Sequence, residues 1–265
     1  MSAVPRGGDE RAESAFADAR RRFLAPDSIA QDDTAHRATR GVATILLPAR
    51  NEEDGIATTL RELPLPVLAA LGFDVDLLVV DGASEDATRE IARDFGARVV
   101  LQPGVGKGLA FRAALDHAKG TYVVMLDADG TYPAEDVPRF LLELEDGADV
   151  VMGSRFAGEI EDGAMSTVNR VGNVALSTLA TLLYGVRTTD VCTGMWGFRR
   201  EKVAALPLTA RRFEIEAELF AQCAKAGLVI RELPIRYGRR IGETKLGRFK
   251  DGIGIGAKLV GRRLG

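Results

Sequence analysis

The amino-acid sequence predicts an α/β fold, a mostly parallel central sheet flanked by helices. Three observations lead there. Apolar runs of strand length recur along the chain, helical patterns fall between them, and polar residues gather just after the runs end. Strands buried on both faces read as near-continuous apolar runs, and parallel strands need helical crossovers between them. The 265 residues are enough for one large domain of this kind.

Each element can be justified in order. "GVATILLPA" (Gly41 to Ala49) predicts the first strand, and "DGIATTLRELPLPVLAAL" a broken helical pattern. "DVDLLVVD" (Asp74 to Asp81) predicts the second strand, followed by the helix "EDATREIARDFG", closed by Gly96. "ARVVLQ" is the third strand. "GKGLAFRAALDHAKG" predicts a helix that opens at a glycine-rich turn, and "TYVVMLDAD" the fourth strand. The helix "PAEDVPRFLLELEDG" and the strand "ADVVMGSR" (Ala148 to Arg155) come next. Beyond Arg155 the rhythm changes. A polar loop leads to a long helix around Asn169 to Leu183, then to "TTDVCTGMWGFRREKVAAL", a helix containing "IEAELFAQCAKAG", and the strand "LVIRELPIRY". The expected organisation is a loose polar extension over residues 1–40, one domain over 41–250, and a basic, glycine-rich segment over 251–265, with no internal repeat.

Composition narrows the function classes. A net charge of -3, 46% apolar and 28% charged residues are ordinary for a soluble chain and argue against nucleic-acid binding over the whole surface. From Arg231 to Gly265 there are ten Lys or Arg against three Asp or Glu, a local basic excess suited to phosphate or anionic lipid. Cys192 and Cys223 form neither a multi-bridge framework nor a zinc cluster, so a reducing, cytoplasmic setting is expected. The first forty residues lack the apolar core of a signal peptide, and "VGNVALSTLATLLYGV" is too short and too polar for a membrane span. Contact with a membrane would therefore be peripheral, on the inner face.

In open parallel sheets ligands sit beyond the carboxyl ends of the strands, and four such ends carry polar residues here. They bring "PARNEED", Asp81 with "GASED", the Asp127 and Asp129 pair, and Ser154 with Arg155. Neither GxGxxG after the first strand nor GxxxxGK[ST] anywhere is present. "GVGKG" has the wrong spacing for a P-loop and reads as a sharp turn bringing Lys107 near an anionic ligand. Asp127 and Asp129 would lie on one side of an extended chain, since side chains alternate with period two. Their repulsion asks for a cation, and Mg²⁺ or Mn²⁺ with a diphosphate suits hard carboxylate oxygens.

Taken together, these stretches resemble a family 2 glycosyltransferase of the GT-A fold, closest to its polyprenyl-phosphate or dolichyl-phosphate hexosyltransferase branch. "LLPARNEEDGI", "VVDGASEDAT", "GKGLAFRAAL", "LDADGTYPAED", "GSR", "TDVCTGMWGFRR" and "RRIGETKL" follow in family order over roughly Ala43 to Lys250. The resemblance implies a single nucleotide-binding domain, with a donor half near 41–155 and a C-terminal acceptor region near 156–250. It implies that Pro48, Ala49, Asn51 and Glu52 border the nucleotide sugar, with Asp81 against base or ribose. Asp127, Ala128 and Asp129 form the D-x-D segment, the two aspartates meeting the metal and Asp129 the more direct contact. Arg155 and Arg170 would face phosphate. Asp190, Thr193 and Gly194 would shape the sugar pocket, and Arg240, Thr244 and Lys245 would close over the diphosphate or meet the acceptor phosphate. Gly82 stands where many relatives carry a second aspartate.

The chemistry implied is inverting displacement of a hexose from a nucleotide sugar, GDP-mannose and UDP-glucose both remaining open, onto polyprenyl or dolichyl phosphate. A phosphate acceptor needs no strong base, whereas a hydroxyl acceptor would. Of Glu214, Glu216 and Glu218, the first and last share a helical face, and Glu214 is the candidate base. His117 is read as helix surface, Cys192 as a packing residue, and Trp196 as either pocket wall or core. Two alternatives stand beside the main reading: a same-fold glycosyltransferase acting on a soluble acceptor hydroxyl or small metabolite, and a nucleotidyltransferase. The second lacks its glycine-rich basic loop after the first strand. Oligomeric state is open.

Overall fold

A computed structural model describes residues 40–242 and 250–264. The expected loose extension over residues 1–40 therefore lies outside the described residues, apart from Arg40.

Among the described residues seven strands form one sheet in the order β3-β2-β1-β4-β6-β5-β7. The first half follows the expected rhythm. Strand β1 (Gly41–Ala49) leads to helices α1 (Glu53–Arg61) and α2 (Leu65–Ala70), β2 (Phe73–Asp81), α3 (Thr88–Asp94) and β3 (Arg98–Leu101). Helix α4 (Lys107–His117), β4 (Tyr122–Met125), a 3-10 turn (Ala134–Asp136) and α5 (Val137–Glu145) complete it. The second half comprises β5 (Val150–Ile160), α6 (Thr167–Tyr184), β6 (Trp196–Arg199), α7 (Arg200–Ala204), α8 (Ile215–Lys225), β7 (Ile230–Tyr237) and α9 (Lys250–Leu264).

Strand β1 pairs in parallel with β2 and β4, β2 with β3, and β5 with β7. The exception is β6, wedged antiparallel between β4 and β5. It is four residues long, too short to leave a periodic trace, and so was not legible as a strand. Strand β5 also runs past the expected Arg155 to Ile160, along a largely exposed stretch without apolar alternation, held by backbone pairing with β7 across an irregularity between Ser154 and Glu159. Here the ladder decides the conformation and side-chain pattern does not.

Alternation on the strands builds a core on each face. Ile45, Leu47 and Val124 point to the side that holds Phe140, Leu141 and Ile235. Leu46, Val123 and Met125 point to the side that holds Phe111, Trp196, Phe198 and Phe220. Trp196 is fully buried, so it is core, and its Nε1 donates to the Thr193 carbonyl at 2.8 Å. His117 lies exposed near the end of α4. Long helix α6 is capped at both ends. The Ser166 hydroxyl accepts from the Asn169 amide at 3.3 Å, and Gly185 closes the helix at φ 71°. Among the described residues no helix is long and apolar enough to cross a membrane.

Candidate active site

The carboxyl ends of β1, β2 and β4 open into a cavity of about 1450 Å³, whose other walls come from α6, α8, α9 and the segment after β7. The first wall is a crossing of turns. Buried Asp81 ends β2, accepts the Ser84 amide at 3.0 Å and also the Ser84 hydroxyl. Ser84 Oγ accepts the Asn51 amide at 2.9 Å, and Asn51 Oδ1 accepts the Glu85 amide at 2.9 Å. This bracing holds Asn51 at φ 48°, a left-handed conformation that asparagine tolerates. Asp81 thus stands behind the wall as a brace, and Gly82 faces the cavity in its place.

The floor is the D-x-D segment. Strand β4 ends at Met125, so Asp127 and Asp129 sit in the turn beyond it and strand alternation does not set their directions. Both still line the cavity, oriented by particular partners. The Asp129 Oδ1 accepts from the Thr131 amide at 3.0 Å and hydroxyl at 2.6 Å, while its Oδ2 meets Arg240 Nη1 at 2.6 Å. Arg240 Nη2 reaches Glu52 Oε1 at 2.7 Å. Lys107 Nζ lies 2.5 Å from Asp127 Oδ1 and 2.7 Å from Glu216 Oε1. At Gly194 an added Cβ would come within 2.6 Å of Asp127 Oδ2, so a larger residue there would force that carboxylate to shift.

These charges act on one another. Burial, then the negative charge of Asp127, push the Asp129 carboxyl up. Burial raises the Glu216 carboxyl despite its ammonium partner. Burial works to lower the Lys107 ammonium, but Asp127 and Glu216 outweigh it and hold it far above its usual range.

The far side is organised by Arg155, only 6% exposed. Its Nε and Nη2 fork onto Asp190 at 2.6 and 2.7 Å, its backbone amide donates to the same carboxylate at 3.0 Å, and its Nη2 reaches Asn173 Oδ1 at 3.4 Å. The guanidinium carbon lies 5.1 Å from the Tyr237 ring centre. Tyr132 packs edge-on to Tyr237 and its hydroxyl accepts the Gly194 amide at 2.6 Å. Cys192 reaches the cavity wall, and burial pushes its thiol up to about 12, which makes it a poor nucleophile.

The cavity therefore gathers Pro48, Ala49, Asn51, Glu52, Lys107, Asp127, Ala128, Asp129, Arg155, Gly194 and Arg240 from the residues expected on sequence. Asp190 and Thr193 are fully buried behind it, the first holding Arg155 and the second donating to the Gly153 carbonyl at 2.5 Å. Two expected residues fall elsewhere. Arg170 is exposed on α6, whose cavity face carries Val168, Asn169, Gly172, Asn173 and Leu176. Glu214 precedes α8 and accepts the Arg211 amide at 3.1 Å outside the cavity. Thr244 and Lys245 lie outside the described residues. Glu216, one of the three candidate bases but not the one preferred on sequence, lines the cavity, as do Tyr132 and Tyr237, which the sequence pattern does not single out as site residues. Glu216 does sit on a different face from Glu218, as helical spacing requires, but which face meets the cavity depends on how α8 docks.

Sheet order, strand-end cavity and D-x-D floor define a glycosyltransferase-like α/β protein of GT-A-type architecture. The chain belongs to the family "Glycosyl transferase family 2", whose model matches residues 44–206. It is 40% identical over 217 residues to glycosyltransferase AglJ of Haloferax volcanii, covering 81% of this chain and 69% of that protein. It is 38% identical over 216 residues to the dolichyl-phosphate hexose transferase of the same organism, covering 82% of this chain and 91% of that one. Among solved structures, glucosyl-3-phosphoglycerate synthase from Mycobacterium tuberculosis, in complex with Mn²⁺, UDP-glucose and phosphoglyceric acid, matches with a TM-score of 0.64. That match covers 99% of this chain and 86% of the synthase at 22% identity, a likeness of fold.

Proposed function

We propose that this chain transfers a hexose, with inversion, from a nucleoside diphosphate sugar to an acceptor that bears a phosphate group. One observation carries the reading. Each D-x-D carboxylate already holds a cation of the chain's own, Asp127 with Lys107 and Asp129 with Arg240. Such a floor can exchange partners with a metal-bound diphosphate, giving its carboxylates to the metal and its basic groups to phosphate oxygens. Arg240 Nε supports this, being buried with no hydrogen-bond partner among the described residues.

The donor set suits Mg²⁺ or Mn²⁺ held by Asp127 and Asp129. Among the described residues no group of three or more His, Cys, Asp or Glu could hold a metal alone. This fits an ion that takes one or two carboxylates and completes its shell from substrate phosphates. When bound, the ion would neutralise charge growing on the departing diphosphate. Lys107 and Arg240 would add positive charge beside it, and Arg155, locked by Asp190, would orient the acceptor phosphate.

For the acceptor, Met165, Val168, Leu176 and Ile255 supply an apolar stretch of the cavity lining, and Asn173 on the same helix as Val168 meets Arg155. An apolar wall near a guanidinium favours polyprenyl phosphate, and the identity to the dolichyl-phosphate hexose transferase supports the same acceptor. Its phosphate, with a second pKa of about 6, is ionised near neutrality and attacks without a base. A soluble phosphorylated metabolite is the second reading, favoured by the likeness in fold to a synthase solved with phosphoglyceric acid.

The test is turnover of UDP-glucose and GDP-mannose with Mg²⁺ or Mn²⁺, offered a short-chain polyprenyl phosphate or phosphoglyceric acid. Labelled sugar in the lipid phase supports the first acceptor, and a labelled soluble phosphorylated product supports the second. No transfer from either donor to either acceptor by folded, metal-loaded protein counts against the proposal.

A further inference from the structure

The turn ahead of α4 is built to hold one side chain. Gly106 has φ 133°, and a Cβ there would lie 2.2 Å from the Arg211 carbonyl oxygen. At Gly108 an added Cβ would lie 2.4 Å from the Ala210 carbonyl oxygen. Two glycines therefore let the segment before α8 rest directly on the turn, and the Leu109 amide donates to the Arg211 carbonyl at 3.3 Å. That segment is pinned from behind, because buried Glu218 accepts the amides of Thr209 at 2.8 Å and Ala210 at 2.6 Å. The consequence is the seat of Lys107, the residue between the glycines. Its side chain, 11% exposed, sits between Asp127 and Glu216, the latter 7% exposed.

Asp127 is thus a carboxylate with two claimants: the ammonium that now holds it and the divalent cation of the proposed reaction. Glu216 gives the ammonium a second seat that the cation does not need. We propose that Lys107 is a resident cation competing with the metal for Asp127, and that Glu216 is the positioning residue that keeps the ammonium in the cavity when the metal takes Asp127. The inference rests on the metal-dependent reading above. Without a diphosphate, metal entry costs the ammonium one of its two carboxylates. With a diphosphate present, the ammonium gains phosphate oxygens in exchange, so metal and nucleotide strengthen each other's binding reciprocally.

The test is Mn²⁺ binding in the absence of nucleotide, followed by the electron paramagnetic resonance of free Mn²⁺. Wild type is compared with Lys107→Met, Glu216→Gln and the double variant. Removing one charge-assisted contact should tighten Mn²⁺ binding in Lys107→Met by roughly tenfold. Glu216→Gln confines the ammonium to Asp127 and should weaken Mn²⁺ binding several-fold, while the double variant, which strands neither buried charge of that pair, should again bind more tightly than wild type. Adding UDP or GDP should tighten Mn²⁺ binding more in wild type than in Lys107→Met. A purely structural role would weaken every variant. Circular dichroism establishes that each is folded, and the double variant covers the case in which Lys107→Met is not. Weaker or unchanged Mn²⁺ binding in both lysine variants, or unweakened binding in Glu216→Gln, would overturn the competition. Donor turnover by wild type, run in parallel, separates the two claims. Metal-dependent turnover without these shifts overturns this inference alone, and the shifts without turnover overturn the transferase reading alone.

Discussion

Asp190→Asn tests how the far side of the cavity is held. Asp190 has no exposed surface and accepts three hydrogen bonds from Arg155, two from the guanidinium and one from the backbone amide, at 2.6 to 3.0 Å. Removing its charge leaves a guanidinium that is 6% exposed without its counter-ion. Breaking one side of a buried pair costs about 3–5 kcal/mol. The amide keeps one acceptor oxygen, so the lower end, about 3 kcal/mol, is expected. In a domain of this size that corresponds to a fall in Tm of roughly 6–12 °C. Urea unfolding gives the free energy, with the slope checked for constancy. Arg155→Met combined with Asp190→Asn should recover most of the stability, since neither charge is then stranded, yet should not recover transfer to the acceptor. A loss below about 1 kcal/mol in the single variant would refute the reasoning, because the pair would then behave like an exposed one.

Three further outcomes are expected. Asp129→Asn, or chelation of divalent cations in wild type, should lower donor turnover by about a hundredfold or more, measured as release of nucleoside diphosphate; retained turnover in both would remove the D-x-D pair from the chemistry. Gly194→Ala places a methyl 2.6 Å from Asp127 Oδ2 and should reduce turnover by at least about tenfold while circular dichroism stays that of wild type. For Asp76, burial works to raise the carboxyl, but hydrogen bonds from Arg98, Thr44 and the Lys119 amide outweigh it and hold it below its ordinary value. Its contribution to stability is therefore complete above the unfolded carboxyl's pKa of about 3.9 and disappears as pH falls through the lower folded value. The stability gap between wild type and Asp76→Asn should be flat from neutrality to about pH 5 and shrink in more acid solution, as read by urea midpoints at each pH.

By itself the sequence determined what local patterns can determine. Apolar runs placed β1, β2 and β4 because strands buried on both faces must be apolar throughout, and the polar residues at their carboxyl ends marked where a ligand would sit. The D-x-D pair was legible because two carboxylates so close require a cation, even though the turn after Met125, and not an extended chain, presents them. What tertiary structure alone decided is which neighbour answers each charge. Asp190 was expected to shape the pocket, yet the guanidinium and amide of Arg155, far off in sequence on β5, draw it into a buried brace, whereas Asp81 is held by Ser84 of the turn that follows it. Glu214 and Glu216 are two residues apart and chemically alike, and the docking of the segment before α8 on the Gly106 turn gives the cavity to Glu216. The antiparallel β6 follows the same rule. Four residues carry too little pattern to declare a strand, and the gap between β4 and β5 supplies the hydrogen-bonding partners that make them one.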